Sequence, residues 1–184
     1  MTNDMGLKST GPGPFAGVPL RALEVARTLR ALAGRLPDWV IALFARISLA
    51  SIFWASGQTK VVSTTAFSIL GREIGVPVHF PPHLTPLTPV LFAEEYKVPL
   101  LPPELAAWMA ALGEMVFPIL LVLGLATRLS ALGLLGMTLV IQIFVYPNLW
   151  SDHMLWAAGL LFLIAKGPGW LSLDFLVARR GMGA

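Results

Sequence analysis

Arg46 and Glu114 each lie inside an apolar stretch long enough to cross a lipid bilayer, Trp39–Ser56 and Leu105–Leu123. A charge at membrane depth is costly, so it normally faces a bundle interior and finds a partner. Arg46 sits roughly 10 Å from one membrane face and Glu114 roughly 15 Å, at about 1.5 Å of rise per residue. A long arginine side chain can close that difference, so an Arg46–Glu114 ion pair between neighbouring helices is feasible. Gln142, in a third apolar stretch, would extend the polar network. Such a network supports two readings. It can hold helices in register, because polar side chains link membrane helices. Or it can line a pocket for the head of a lipid-soluble ligand such as quinone. In that case Arg46 or Gln142 donates to a carbonyl oxygen and Glu114 relays a proton. Phe53, Trp54, Phe117 and Phe144 would wall the pocket or simply pack.

The histidines form a second group: His79, His83 and His153, with Glu94, Glu95, Asp152 and Met154 nearby in sequence or topology. Histidine with carboxylate suits zinc, copper or iron, and methionine suits reduced copper. Yet His79-Phe-Pro-Pro-His83 cannot lie on a regular helix, so its spacing carries no ligand geometry, and solvent-facing loop histidines explain it better than a metal site. His153 opens a fourth apolar stretch beside Asp152. It fits a boundary proton carrier or head-group ligand, or an ordinary helix-start pair. There is no cysteine, which excludes thiol redox chemistry, thiolate metal sites and a disulfide framework. No phosphate-binding loop, catalytic triad or HExxH motif occurs. No catalytic residue and no cofactor is evident, and redox work would need a bound cofactor or a partner protein.

The elements that must position these residues are membrane helices. The chain has 184 residues, 56 % hydrophobic and 12 % charged, about half the charged share of a soluble domain. Four spans are expected: Trp39–Ser56, Leu105–Leu123, Leu129–Tyr146 and His153–Ala165. The last is short unless Trp150 and Lys166 anchor its ends or helix begins near Asn148. Gly133, Gly136, Ala157, Ala158 and Gly159 favour a tight bundle over a water-filled pore. The fold class is therefore all-α, an integral membrane four-helix bundle.

Basic residues set the orientation. Lys8, Arg21, Arg27, Arg30, Arg35, Arg128, Lys166, Arg179 and Arg180 fall on one side, and only Lys60, Arg72 and Lys97 on the other. Both termini are expected in the cytoplasm. This placement also argues against nucleic acid as the partner of a chain with net charge +3. No cleavable signal peptide is visible. Residues 1–37 form a cytoplasmic segment, its first 18 residues rich in Gly, Pro, Ser and Thr. Residues 19–36 can make an interfacial helix or serve only as a cationic topology signal. The bundle occupies 38–176, and 177–184 is a basic tail. Gly57–Glu104, with eight prolines from Pro77 to Pro103, is too long for a turn and is read as a partly helical cap on the outer end.

Several short motifs fall in order along the chain. They are Ser56-Gly57-x-x-Lys60, Gly113-Glu114 with Pro118, and Gly124-Leu125-x-Thr127-Arg128-Leu129. Phe144-Val145-Tyr146-Pro147 and Gly167-Pro168-Gly169-x-x-Ser172-x-Asp174 follow. As a set they resemble the DoxX family of small bacterial membrane proteins over roughly residues 40–176. The resemblance implies a four-helix inner-membrane protein. Some members are subunits of a thiosulfate:quinone oxidoreductase, and others are linked to oxidative, thiol or metal stress. It implies no established catalytic site. Lys60, Glu114, Arg128 and Asp174 match family positions that serve folding or chemistry, and Lys60 joins Arg46, Glu114, Gln142 and His153 as a ligand or proton-relay candidate. The expected function is an accessory subunit in redox or stress physiology that binds quinone in the bundle. The alternative is a non-enzymatic assembly or metal-stress component using His79, His83 and His153. Its partners would be the bilayer and either another protein or a second copy of the chain.

Overall fold

A computed structural model describes residues 19–69, 72–77 and 83–181. The chain divides into two units between Pro37 and Asp38. In the first, α1 (Leu20–Ala33) carries Arg21, Arg27 and Arg30 and leaves Val25 and Leu29 exposed, so the segment read as an interfacial helix is helical. Residues 1–18 lie outside the described residues, as does His79.

The second unit is built on α2 (Asp38–Gln58), α4 (Pro103–Leu123), α5 (Thr127–Val140) and α6 (Trp150–Lys166). α2 packs on α4, α4 on α5, α5 on α6 and α6 on α2, closing a ring of four. Ala42, Ala50 and Ala131 let the helices approach around Leu49, Phe53, Leu134, Leu160 and Leu163. The outward faces show Phe44, Ile47, Leu129, Leu132 and Leu155 in the open, apolar surface that water would not tolerate and hydrocarbon accepts.

Among the described residues three helices are long and apolar enough to cross a membrane: Asp38–Gln58, Pro103–Leu123 and Thr127–Val145, the last including a π-helical turn, Ile141–Val145, that continues α5. α6 has 17 residues. It begins at Trp150, after a 3-10 turn at Pro147–Leu149, rather than at His153. The two anchors expected from the sequence, Trp150 and Lys166, are its ends. Pro103 opens α4 at the position where a missing N–H is harmless.

The α2–α4 connection is only partly helical, with α3 (Leu87–Leu91) running into a π-helical turn at Phe92–Tyr96. It also contains an antiparallel hairpin, β1 (Ser63–Ile69) and β2 (Arg72–Pro77), which the sequence reading did not foresee. The alternation of larger Thr65, Phe67 and Ile69 with smaller Ala66 and Ser68 is its signal. The basic tail is helical as far as Gly181, where α7 (Leu173–Gly181) carries Arg179 and Arg180.

Candidate functional site: a groove with a buried ion pair

Arg46 and Glu114 do not pair. Both are buried, each 2 % exposed, but each meets a different partner. Side chains lean toward the N-terminus of their helix, so Arg46 reaches back to the Asp38 end of the bundle. There it meets the end of α4, about 10 Å along the axis from Glu114. Its Nε donates to the Leu121 carbonyl at 2.6 Å, and Nη2 to the Val122 carbonyl at 2.6 Å. Its Nη1 donates to Pro168 and Leu171 carbonyls at 3.2 and 2.8 Å. Leu121 and Val122 belong to the last turn, where the Leu121 carbonyl also takes the capping Gly124 amide at 3.1 Å, and the negative end of the helix dipole favours a cation.

The next helix mirrors this arrangement. Asp174 Oδ1 and Oδ2 accept from the Ala126 and Thr127 amides at 2.7 and 2.9 Å, placing an anion at the start of α5. These bonds hold Ala126 at φ 47°, a left-handed conformation that costs a non-glycine residue energy. Gly124, at φ 67°, passes so close that an added Cβ would lie 2.5 Å from the Ser172 Cβ and 2.7 Å from Arg46 Nη2. Ser172 Oγ donates to the Gly169 carbonyl at 2.6 Å. The Gly124–Leu129 and Gly167–Asp174 motifs thus form a structural knot around the α4–α5 turn.

Glu114 pairs instead with Lys60, just past the end of α2. Lys60 Nζ lies 2.7 Å from Glu114 Oε2, and Ser56 Oγ donates to Glu114 Oε1 at 3.2 Å. Lys60 Nζ also donates to Ser56 Oγ at 3.0 Å and to the Ser56 carbonyl at 3.4 Å. The Lys60 carbonyl accepts from the Thr88 hydroxyl and the Thr85 amide, so the loop holds the lysine backbone. Gly57 makes the pairing sterically feasible, since a Cβ there would sit 3.1 Å from both Cβ and O of Glu114. Pro118, one turn on, cannot donate to that Glu114 carbonyl, which explains why a glycine and a proline flank the ion pair.

Ser56, Lys60 and Glu114 form one polar corner of a groove of about 640 Å³ that is otherwise almost wholly apolar. Its walls come from α4 and α5, including Gly113, Phe117, Gly136 and Met137. Both π-helical turns border it, supplying Tyr96 and, next to the second, Tyr146. The two rings meet edge to face at 5.8 Å, and the Tyr146 hydroxyl donates to Glu95 Oε1 at 3.1 Å. Burial, reinforced by the neighbouring Tyr146, pushes the Tyr96 hydroxyl well above the usual tyrosine range.

Of the sequence candidates, Glu114 and Lys60 border the groove, whereas Arg46, Gln142 and His153 are not among its lining residues. Gln142 extends no network to Glu114: its Nε2 donates to the Pro147 carbonyl, and its Oε1 lies 2.6 Å from His153 Nδ1. That amide oxygen can only accept, so Nδ1 carries the proton. His153 is 3 % exposed and stacks edge-on against Trp156, which meets Phe53 in the core. Among the described residues no three His, Cys, Asp or Glu side chains gather as metal ligands. His83 contributes its carbonyl to Val62 N, next to the bridge between Val61 and Leu84. Of the expected aromatic walls, Phe117 lines the groove, Phe53 is core, Trp54 packs with Val61 and Met115, and Phe144 is exposed.

Sequence reasoning missed Tyr96 and Tyr146 as groove residues. Nothing in a proline-rich loop marks Tyr96. Ser56 and Lys60 were marked by the Ser56-Gly57-x-x-Lys60 motif, although Lys60 lies in the turn that follows α2.

Comparison with known proteins agrees with this architecture. The sequence model of the DoxX family matches residues 41–147. The Gly167–Asp174 stretch lies beyond that match. An uncharacterized protein of Haemophilus influenzae is 36 % identical over 84 residues, covering 39 % of this chain and 54 % of the relative. The chain thus spans about half the length of that curated relative. No solved structure matches it.

Proposed function

The chain belongs to the DoxX family, and from that premise we propose that it is an inner-membrane accessory protein of redox or stress physiology. It holds a lipid-soluble, quinone-like molecule in the groove between α4 and α5. One observation carries this reading: a cavity of about 640 Å³, nearly all apolar, with a buried Lys60–Glu114 pair at one corner. That size falls among small-molecule sites, which are mostly apolar with a few convergent polar groups. A purely structural ion pair has no need of a groove beside it. The apolar walls would take an isoprenoid or alkyl tail, and Ser56, Lys60 and Glu114 the polar head.

The chain supplies no cysteine for electron transfer, so a bound cofactor or a partner protein completes any redox step. Orientation follows from charge: Arg128, Lys166, Arg179 and Arg180 gather at the Asp38 end of the bundle, which faces the cytoplasm. Lys60, neutralised by Glu114 within the bundle, no longer counts against this bias.

The test is retention of quinone or lipid by protein purified in native membrane discs, read by native mass spectrometry. Gly136 borders the groove, and a Cβ there meets nothing within 4 Å. Gly136→Leu therefore fills the groove without a backbone clash. Retention in the wild type and loss in Gly136→Leu is expected; an empty wild-type protein that also ignores added decylquinone overturns the proposal.

A further inference from the structure

The polar corner of the groove has an uneven hydrogen-bond inventory. Lys60 Nζ carries three N–H donors, and they meet Glu114 Oε2, Ser56 Oγ and the Ser56 carbonyl. The one hydroxyl proton of Ser56 goes to Glu114 Oε1. Every donor in the triad is therefore committed inside it. The acceptors are not: a carboxylate offers about four lone-pair positions, of which Lys60 and Ser56 engage about two.

Tyr96 and Tyr146, the other polar side chains along the wall, each carry a hydroxyl that can both donate and accept, so they do not discriminate between heads. A carbonyl-headed ligand arriving at the triad would have to draw off one of its donors, most readily the N–H that reaches the Ser56 carbonyl at 3.4 Å, a carbonyl that Thr59 also serves, and otherwise one that holds Glu114. A hydroxyl-headed ligand would add a bond and break none.

We infer that the groove selects amphiphiles whose head donates hydrogen bonds, an alcohol or a hydroquinol, over those whose head only accepts. This rests on the reading that the groove is a ligand site and specifies its chemistry. For a quinone-type ligand the reduced form is then the tighter-bound one. Glu114 is the acceptor that recognises it, and Lys60 and Ser56 position that carboxylate.

The experiment compares decylhydroquinone with decylquinone, which share tail and ring size, on the full-length protein in lipid discs under anaerobic conditions. Calorimetry and native mass spectrometry give the two affinities. At least a tenfold preference for the hydroquinone is expected, equivalent to a positive shift of about 30 mV in the two-electron potential of the bound couple. Glu114→Gln, which exchanges half of the acceptor for a donor, is expected to abolish or reverse the preference. Decanol against decyl methyl ether, a donating head against one that only accepts, repeats the comparison on the wild-type protein with the same tenfold preference expected for the alcohol, and it decides the matter should Glu114→Gln fail to fold. Equal affinity for the two probes, or tighter quinone binding, in a groove that Gly136→Leu closes would overturn this inference and leave the ligand-site reading standing. Binding of neither probe overturns both.

Discussion

Lys60 Nζ and Glu114 Oε2 stand 2.7 Å apart, although 54 residues separate them in the chain, with side chains 8 % and 3 % exposed. The pair joins the end of α2 to the middle of α4, and Gly57 sets the backbone distance that makes it feasible. Removing one partner strands a buried charge, which typically costs about 3–5 kcal/mol, whereas replacing both with apolar groups is often close to neutral. Glu114→Leu and Lys60→Met are accordingly expected to lower thermal stability sharply as single changes. The double variant is expected to recover most of the loss. Thermal unfolding of the four proteins in detergent, closed as a double-mutant cycle, checks this, and additive losses would count against a direct pair.

The Arg46 site makes a different demand. Its guanidinium ties the end of α4, through Leu121 and Val122, to the segment after α6, through Pro168 and Leu171. Lysine keeps the charge but not the planar fork that spans four carbonyls. Arg46→Lys is expected to lose about 2–4 kcal/mol, given about 1.5–3 kcal/mol for a hydrogen bond to a charged group and partial replacement by the ammonium. Limited proteolysis is the check: cleavage between Gly167 and Asp174 should accelerate in Arg46→Lys while the Gly57–Glu104 connection keeps its wild-type pattern.

Asp174→Ala tests the other half of that knot. Loss of two amide bonds at the start of α5 is expected to cost about 1–2 kcal/mol, the range for helix caps and dipole partners. Asp174→Asn, which keeps an acceptor but not the charge, should fall between. Chemical denaturation of the three proteins orders them, and an unaffected Asp174→Ala would remove the carboxylate from the structural account.

Three of the spans, the Pro103 start of α4 and the partly helical connection were legible because they follow from hydrophobic length and proline placement, whereas α6 begins at Trp150, three residues before the expected His153. Partner choice was not. Arg46 and Glu114 were identified correctly as buried, but depth alone made them look like each other's counter-charge. The direction in which helical side chains lean sends Arg46 to backbone carbonyls at the end of α4 instead. Lys60 was visible only as a motif residue, because its place in a connecting turn hides it from a search for charges inside apolar runs. Tyr96 could not be found at all: a π-helical turn in the loop brings it to the groove, and no periodicity in the sequence announces such a turn.

Tyr96 also gives the groove a spectroscopic signature. The chain has two tyrosines, so Tyr146→Phe leaves Tyr96 alone to titrate. Burial is the main reason its hydroxyl ionises late, and that cause survives the substitution. In the unfolded chain a tyrosine ionises near pH 10. The folded value is higher, so the folded protein binds more protons than the unfolded one once the pH passes about 10, and stability falls there with rising pH. Below about pH 10 both states are protonated and the stabilising contribution is fully present. Phenolate absorbance of native Tyr146→Phe should therefore stay low at pH 10.5 and rise steeply on denaturation at the same pH. A hydroquinone seated beside Tyr96 would delay ionisation further by excluding water, and Gly136→Leu should abolish that ligand-dependent delay while preserving the late titration itself. An ordinary titration in the native protein would mean that Tyr96 faces water and that the groove is open to solvent at this end.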